Sequence, residues 1–420
     1  MSLHPMTWLF AFALLAALTT RLWLATRQLR HVSEHRASVP PAFASRVSLQ
    51  AHQRAADYTV AKTRFGLLTA AFGSALLLGW TLLGGLDALN GWVRDWALPR
   101  WGALPYQLAL LAAFVVISAV LDLPFEWWRT FRIEQRFGFN RSTVGLFVID
   151  LFKSMAVATV LGLPLAALVL WIMASTGGWW WLWAWAAWTG FNLLILVIYP
   201  TVIAPLFNKF EPLRDETLAA RVQTLMQRCG FAAKGLFVMD GSRRSAHGNA
   251  YFTGLGSAKR VVFFDTLLKT LTPGEVEAVL AHELGHFKRR HVLKRMVAMF
   301  ALSLAGLALL GWLASRSWFY SALGVSPNLA APNDALALLL FALVLPAFGF
   351  FMSPLAALLS RRHEFEADAY ACAQASGVDL ASALIKLHED NASTLTPDPV
   401  YVRFYYSHPP AGERLAALQP

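Results

Sequence analysis

Seven long apolar stretches set the strongest limit on how this chain can fold. They cover residues 6–26, 65–89, 105–124, 146–173, 178–204, 296–314 and 332–359. A membrane-spanning helix needs about 20 predominantly apolar residues, and each stretch is close to that length or longer. Only 15% of the 420 residues are charged, whereas soluble domains have about 25%. The sequence therefore predicts an α-helical polytopic membrane protein with seven transmembrane helices.

The loops between these stretches differ in their content of basic residues. Arg and Lys are frequent in 27–64 and 125–145 and rare in 90–104, 174–177 and 315–331. Because basic loops stay on the cytoplasmic side, we expect the N-terminus outside and the segments 205–295 and 361–420 in the cytoplasm. This topology and contact with anionic lipids account for the net charge of +11 without a nucleic-acid partner. The Ala- and Leu-rich spans suggest a bacterial inner membrane.

Ionisable residues help to interpret two of the apolar stretches. The first stretch could be a signal peptide, but no Lys or Arg precedes it and its apolar run continues past Arg21, which favours a membrane span. The fourth stretch contains Asp150 and Lys153, three residues apart. These two residues can pair on one helix face, and either snorkel at the helix end or face a water-filled cavity.

After the fifth span the sequence changes to a mixed polar and apolar segment that can form a small α+β domain. Residues 213–229 indicate an amphipathic helix ended by Gly230, and 235–239, 249–253 and 260–264 indicate short strands with a turn at 254–257. Peptidases often add an extended substrate to a sheet edge, and the strand starting at Asn249 is the candidate edge or else a plain structural hairpin. The predicted segments are a membrane region at 1–205, a catalytic segment at 206–295, spans six and seven at 296–360, and a C-terminal catalytic segment at 361–420.

A His-Glu-x-x-His motif at His282, Glu283 and His286 lies at the end of the mixed segment. Thr272-Pro273-Gly274-Glu275 upstream is a helix-start signal with a capping box, and the chain is compatible with a helix to about Arg295. Positions i and i+4 share one helix face, so both imidazoles can bind one metal ion, for which Zn²⁺ is best suited. Glu283 can then act on a water as general base.

Candidates for the third metal ligand follow the last span. Glu364 and Asp368 are four residues apart on a predicted helix, so a carboxylate can complete a His₂Glu site and its neighbour can accept the N–H of a ligating imidazole. Spacing alone leaves His363 and Glu366 as competing ligands. A charged helix face exposed to solvent is the simpler alternative.

Several further motifs occur along nearly the whole chain. They are Ile133–Asn140, Tyr199-Pro200, Pro205–Lys209, Asn249-Ala250-Tyr251, and Ser407–Pro410 followed by Arg414. Together with His282-Glu283-x-x-His286 before two more spans and Glu364-Phe365-x-Ala367-Asp368 after them, they resemble the integral-membrane zinc CAAX prenyl proteases of type I.

The resemblance implies a role for each of several residues. Glu364 is the third zinc ligand, and Asp368 contacts a ligand without binding the metal itself. His408 and Arg414 come from the C-terminal segment to line the catalytic site. Asn249, with Ala250 and Tyr251 on its strand, contacts the substrate backbone. The resemblance also implies seven helices around a large water-filled chamber, with one Zn²⁺ per chain at its cytoplasmic end.

The resulting hypothesis is a membrane zinc endopeptidase that cuts near the C-terminus of isoprenylated peptides or proteins. Glu283 activates the water, and His408 donates a hydrogen bond to the oxyanion. One alternative is a quality-control protease that cuts unlipidated, unfolded membrane proteins. Another is a transporter with a regulatory zinc ion, although Glu283 between two ligands is typical of a catalytic site.

Overall fold

The apolar stretches form long helices in a computed structural model of the protein, which describes residues 4–232, 235–253 and 260–418. The helices are α1 Pro5–Glu34, α2 Leu49–Trp80, α3 Gly85–Trp101, α4 Ala103–Trp128, α5 Val144–Ser175, α6 Trp180–Ile198, α7 Ala204–Phe207, α8 Glu216–Arg228, α9 Asp265–Thr270, α10 Pro273–Lys288, α11 His291–Ala314, α12 Ser317–Ser321, α13 Asp334–Gly349, α14 Ser353–Gln374, α15 Gly377–Asp390, α16 Pro399–Tyr405 and α17 Ala411–Leu418. Two π-helical segments, Arg129–Glu134 and Tyr199–Ile203, continue α4 and α6.

Six helical segments among the described residues are long and apolar enough to cross a membrane. They are Pro5–Glu34, Ala103–Glu134, Val144–Ser175, Gly177–Phe207, His291–Ala314 and Asp334–Gln374. In the four middle segments only 6–11% of the most apolar part is buried inside the protein. Most apolar side chains of these segments are therefore exposed, as expected for helices in contact with lipid.

The second predicted span, 65–89, is not one continuous helix. α2 ends at Trp80, α3 begins at Gly85, and the two helices are bent by 51°. Gly84 at the break has φ = 78°, a backbone conformation that glycine adopts without strain. The residues of the break are themselves mostly apolar, so hydropathy does not reveal it. Only as a bent pair do α2 and α3 count as a seventh span.

Asp150 and Lys153 on α5 bind separate partners instead of each other. Arg244 donates hydrogen bonds to Asp150 from Nε and Nη2, at 2.7 and 2.9 Å. Lys153 Nζ donates to the carbonyl oxygen of Leu206 at 2.7 Å. Arg244 lies in the loop before the candidate edge strand, so its ion pair with Asp150 connects that loop to a membrane helix.

A four-stranded sheet forms within the mixed segment. Its strands are β1 Phe210–Pro212, β2 Leu236–Met239, β3 Ala250–Thr253 and β4 Arg260–Phe264, in the order β1-β2-β4-β3. β2 and β4 are parallel, while the two outer pairs are antiparallel, with Ala250 opposite Phe263. Three strands agree with the prediction. The sequence patterns did not indicate β1, because it has only three residues and includes a proline. The predicted turn at 254–257 lies outside the described residues. β3 forms an edge of the sheet, as predicted.

Helix α10, which carries the His-Glu-x-x-His motif, packs against α14 and α15. Its capping box is present, with both hydrogen bonds between Thr272 and Glu275. The inner face of α10 is buried in a core shared with α8, β4 and α15, through Val276, Leu280, Ala281 and Leu284. Burial of these side chains holds the two motif histidines at a fixed distance from α14.

The motif helix is shorter than the sequence predicts. The expected helix reaches about Arg295, but α10 ends at Lys288 and α11 begins at His291. Arg290 between them has φ = 56°, a left-handed conformation that interrupts the helix. The break turns His291 back towards the motif, where its ring contacts His286.

Candidate metal-binding and catalytic site

Three side chains on α10 and α14 direct ligand atoms to one point. His282 Nε2 lies 3.2 Å from His286 Nε2 and 3.4 Å from Glu364 Oε2, and His286 Nε2 lies 3.3 Å from Glu364 Oε1. A tetrahedral metal with bonds of about 2.0–2.2 Å holds its ligand atoms about 3.3–3.6 Å apart. Glu364 Oε2 is buried without a hydrogen-bond partner among the described residues. These features fit a bound metal ion, because they leave ligand atoms without another partner.

Asp368 and Arg414 support His282 from the side opposite its Nε2. The Asp368 carboxylate accepts a hydrogen bond from His282 Nδ1 at 2.8 Å and from Arg414 Nε at 2.8 Å. Burial by itself lowers the pKa of His282, but the hydrogen bond to Asp368 and the neighbouring Glu364 carboxylate outweigh it and raise the pKa to about 9. Metal binding requires neutral imidazoles, and ionised Glu283, Glu364 and Asp368 against Arg414 then leave an excess of two negative charges, which a divalent cation balances.

Glu283 lies next to His282 on α10, and its carboxyl group interacts electrostatically with His282, His286 and Glu364. Burial raises the pKa of Glu283, and the charge of Glu364 adds to this effect. A raised pKa makes this carboxylate a better proton acceptor than an ordinary glutamate. The position and the environment of Glu283 make it the candidate general base of the site.

His408 and Arg414 come to the site from the C-terminal segment, more than 100 residues beyond the motif. His408 Nε2 lies 3.5 Å from Glu364 Oε1, and Arg414 Nη1 lies 3.8 Å from Glu364 Oε2. Ser407 Oγ lies 2.9 Å from His408 Nδ1. If Ser407 donates this hydrogen bond, the proton of a neutral His408 ring is on Nε2, which faces the site. Partial desolvation and the nearby charge of Arg414 lower the pKa of His408, although 66% of its side chain is exposed, and this favours the neutral form.

His286 has a hydrogen-bond partner of its own that the sequence motifs do not reveal. Its Nδ1 lies 3.0 Å from Nδ1 of His291, and His291 Nε2 lies 3.1 Å from Glu366 Oε2. His363 stacks on the His291 ring with 3.9 Å between the ring centroids. His363 and Glu366 therefore do not compete with Glu364 as ligands. The histidine five residues after His286 was the available signal, but it becomes informative only with the helix break.

The predicted substrate-binding residues lie at the start of the edge strand. Asn249 immediately precedes β3, and its Oδ1 accepts a hydrogen bond from the N–H of Ala250 at 2.8 Å. The side chain of Ala250 is buried in the core, while the Tyr251 ring packs on Phe264. Only Asn249 of the three lines a cavity of about 770 Å³, which also reaches His408 and Arg414. The cavity is bounded by α1 and α2 from the membrane part, and by α15 and α16.

Known proteins resemble this chain along nearly all of its length. Residues 28–209 match a family model described as CAAX prenyl protease N-terminal, five membrane helices, and residues 212–420 match peptidase family M48. A CAAX prenyl protease 1 homolog of Arabidopsis thaliana is 36% identical and covers 76% of each chain. A human protein of the same name is 31% identical, covering 98% of this chain and 95% of its own.

The fold of a solved structure agrees with this similarity. The crystal structure of S. mikatae Ste24p matches with a TM-score of 0.92 and 30% sequence identity, over 100% of both chains. Peptidase family M48 consists of metalloproteases, and the ligand atoms of His282, His286 and Glu364 lie within 4.8 Å of one another, as a metal site requires. The chain is a multi-pass membrane metalloprotease and belongs to the CAAX prenyl protease 1 family within peptidase family M48.

Proposed function

We propose that this protein is a zinc endopeptidase that cuts isoprenylated, CAAX-type peptides or proteins near their C-terminus. The observation that carries the proposal is the spacing of 3.2–3.4 Å between ligand atoms of His282, His286 and Glu364. This spacing suits Zn²⁺ with two imidazoles and one carboxylate. The substrate class comes from the relatives, which are named CAAX prenyl proteases.

The residues around the ligands divide the chemistry among them. Bound Zn²⁺ supplies Lewis acidity that polarises the scissile carbonyl and acidifies a water. Glu283 takes the proton of the attacking water and passes it to the leaving amine. His408, with its proton on Nε2, donates to the oxyanion, and losing one such donor costs about 10²–10³ in rate. Asp368 and Arg414 hold His282 in the orientation that leaves its Nε2 free.

The edge strand β3 positions the substrate backbone in this proposal. An extended peptide can form main-chain hydrogen bonds with the outer edge of a sheet. Antiparallel pairing, the commoner arrangement of strands, lets the peptide run opposite to β3. Asn249 lies at the start of β3, next to the cavity, so it contacts the substrate beyond the scissile bond. The Asn249 side chain must release the N–H of Ala250 for this pairing.

The orientation of the protein in its membrane is also part of the proposal. In this proposal the metal site and the C-terminal segment lie on the cytoplasmic side and the N-terminus lies outside, because loops rich in Arg and Lys favour the cytoplasm. Membrane lipids surround the outward apolar faces of the spans. The relatives described above are eukaryotic, so a bacterial inner membrane remains a prediction from composition alone.

The experiment is to compare cleavage of a farnesylated C-terminal peptide and its unlipidated twin by the purified protein in detergent. We expect preferential cleavage of the lipidated peptide, and Glu283→Gln to lower kcat by about 10²–10⁴ while the bound metal is retained. Metal content measured on the same samples separates loss of the base from loss of the metal. Equal cleavage of both peptides would leave the peptidase chemistry in place but refute the lipid specificity, and favour quality-control proteolysis.

A further inference from the structure

The charged residues that line the cavity beside the metal site are all cationic. Three of its lining residues are cationic, namely Arg21, Lys62 and Arg414, and the described lining contains no Asp or Glu. Arg414 is occupied by Asp368 and Glu364. Arg21 and Lys62 form no ion pair and no side-chain hydrogen bond with any described residue. The cavity therefore offers two available positive charges, and His408 and Arg414 line the same cavity.

Aromatic rings hold these two cations in place. The guanidinium carbon of Arg21 lies 4.4 Å from the centre of the Phe350 ring, and Lys62 Nζ lies 4.7 Å from the centre of the Tyr58 ring. The Glu134 carboxylate accepts a hydrogen bond from the Tyr58 hydroxyl at 2.7 Å, and Glu134 does not line the cavity. Cation–π contacts position a charge without neutralising it. Arg21 lies within the first apolar stretch, where an unpaired charge is costly and usually serves a ligand, whereas Lys62 lies just before the second apolar stretch.

The direction of the edge strand indicates which end of a substrate reaches these cations. The cavity is lined by Gly248 and Asn249, just before β3, but by none of the β3 residues themselves. A peptide that pairs antiparallel with β3 has its C-terminal side at this end. Residues after the scissile bond therefore enter the cavity, where three extended residues span about 10 Å.

We propose that Arg21 and Lys62 bind the free C-terminal carboxylate of the peptide substrate. This proposal rests on the proposed endopeptidase function, since it assigns the part of the substrate that follows the cut. A carboxylate held at a fixed place positions the cut at a fixed number of residues from the C-terminus. The ligand group in this proposal is an anion that contacts one Arg and one Lys. An anionic lipid headgroup has the same chemistry.

The test compares two lipidated peptides that differ only at the C-terminus, one a free acid and the other an amide. Hydrogen bonds to charged groups predict that the wild type prefers the acid by about 10- to 100-fold in kcat/KM. In Lys62→Gln this preference shrinks, and in the Arg21→Gln/Lys62→Gln double variant it disappears. Cleavage of the amide stays unchanged in these variants. Arg64→Gln, an exposed position on the same helix outside the cavity, keeps the full preference.

The possible outcomes separate this proposal from the proposed function. If the wild type cuts neither peptide, the endopeptidase function is refuted. If it cuts acid and amide equally, the function stands and the carboxylate site is refuted. If Lys62→Gln lowered kcat/KM equally for the acid and the amide peptide, Lys62 would have a structural role and the carboxylate site would be refuted. Native mass spectrometry detects a bound anionic phospholipid. If the double variant lost that lipid but kept its preference for the acid peptide, the two cations would bind lipid and not the substrate carboxylate.

Discussion

At the scale of single residues, the two histidines proposed as metal ligands have different hydrogen-bond partners. His282 donates from Nδ1 to the carboxylate of Asp368, whereas His286 is paired with another imidazole, that of His291. If His286 uses Nε2 for the metal, its Nδ1 carries the proton and donates to His291 Nδ1. His291 then carries its own proton on Nε2 and donates to Glu366. This chain of hydrogen bonds fixes the orientation of the His286 ring.

Removal of Glu366 tests that chain without touching a metal ligand. We expect Glu366→Ala to lower metal affinity by about 10- to 100-fold, because His291 and then His286 lose their fixed orientation. Competition with a metal-binding dye measures the affinity directly. Arg362→Ala is the matched control, since Arg362 bonds the other carboxylate oxygen of Glu366 from an exposed position. Unchanged affinity in Glu366→Ala would show that the chain does not orient His286.

At the scale of elements, the site depends on the close approach of α10 and α14. A Cβ atom at Gly285 would lie 2.9 Å from Ala367 Cα and 3.0 Å from Ala367 O. Both are backbone atoms, so the helices themselves would have to separate. The glycine between the two motif histidines is therefore required by packing, although alanine has the higher helix propensity.

Gly285→Ala makes this packing requirement measurable. Forcing an extra methyl group into a tight contact costs about 1–3 kcal/mol, and we expect a lower Tm together with weaker metal binding. Gly306→Ala on α11 is the control, because its Cβ would meet the Phe341 ring at an ordinary 3.9 Å. A Tm that rises in Gly285→Ala, as helix propensity predicts, would contradict the packing argument.

The N-terminus of α10 adds an acid-sensitive contact. Glu275 of the capping box accepts hydrogen bonds from Ser382 and Lys386 on α15, at 2.7 and 2.8 Å. Burial raises the pKa of Glu275, but these hydrogen bonds outweigh it and hold the pKa below the ordinary 4.5. A carboxylate with a lowered folded-state pKa stabilises the protein above that ordinary pKa and loses its effect as pH falls through the folded-state pKa.

Thermal unfolding of Glu275→Gln at several pH values checks this effect. We expect the variant to have a lower Tm than the wild type at neutral pH, and the difference to shrink below about pH 4.5. Glu389→Gln, at an exposed position on α15, serves as control and has no such pH-dependent difference. A difference for Glu275→Gln that is constant from neutral to acid pH would rule out titration of this carboxylate as its source.

At the scale of the whole molecule, the segment that carries the sheet is attached to the membrane part through Arg244. Its guanidinium bonds Asp150 on α5 and also Asn208, whose Oδ1 lies 3.0 Å from Nη1. Both members of the ion pair have only 22% of their side chains exposed. The bidentate, partly buried geometry makes this a stronger connection than an exposed surface pair.

A double-variant comparison tests the connection. We expect Asp150→Asn and Arg244→Gln each to lower Tm, because each leaves its partner's charge partly buried and unpaired. The double variant should lower Tm by less than the sum of the two single changes. Additive effects would show that the two residues do not interact. Arg243→Gln, the neighbouring residue outside the ion pair, is the matched control.

The helices, strands and short motifs of this protein can be predicted from the sequence, because each depends on residues that are close together in the chain. Hydropathy identifies the spans, the capping signal and the i, i+4 spacing identify α10 and two ligands, and strand patterns identify three of the four strands. The choice of Glu364 over His363 and Glu366 as third ligand lies beyond such signals. So do the break between α2 and α3, the turn that brings His291 to His286, and the pairing of Asp150 with Arg244. These features depend on contacts between residues far apart in the chain, and packing of the helices decides those contacts.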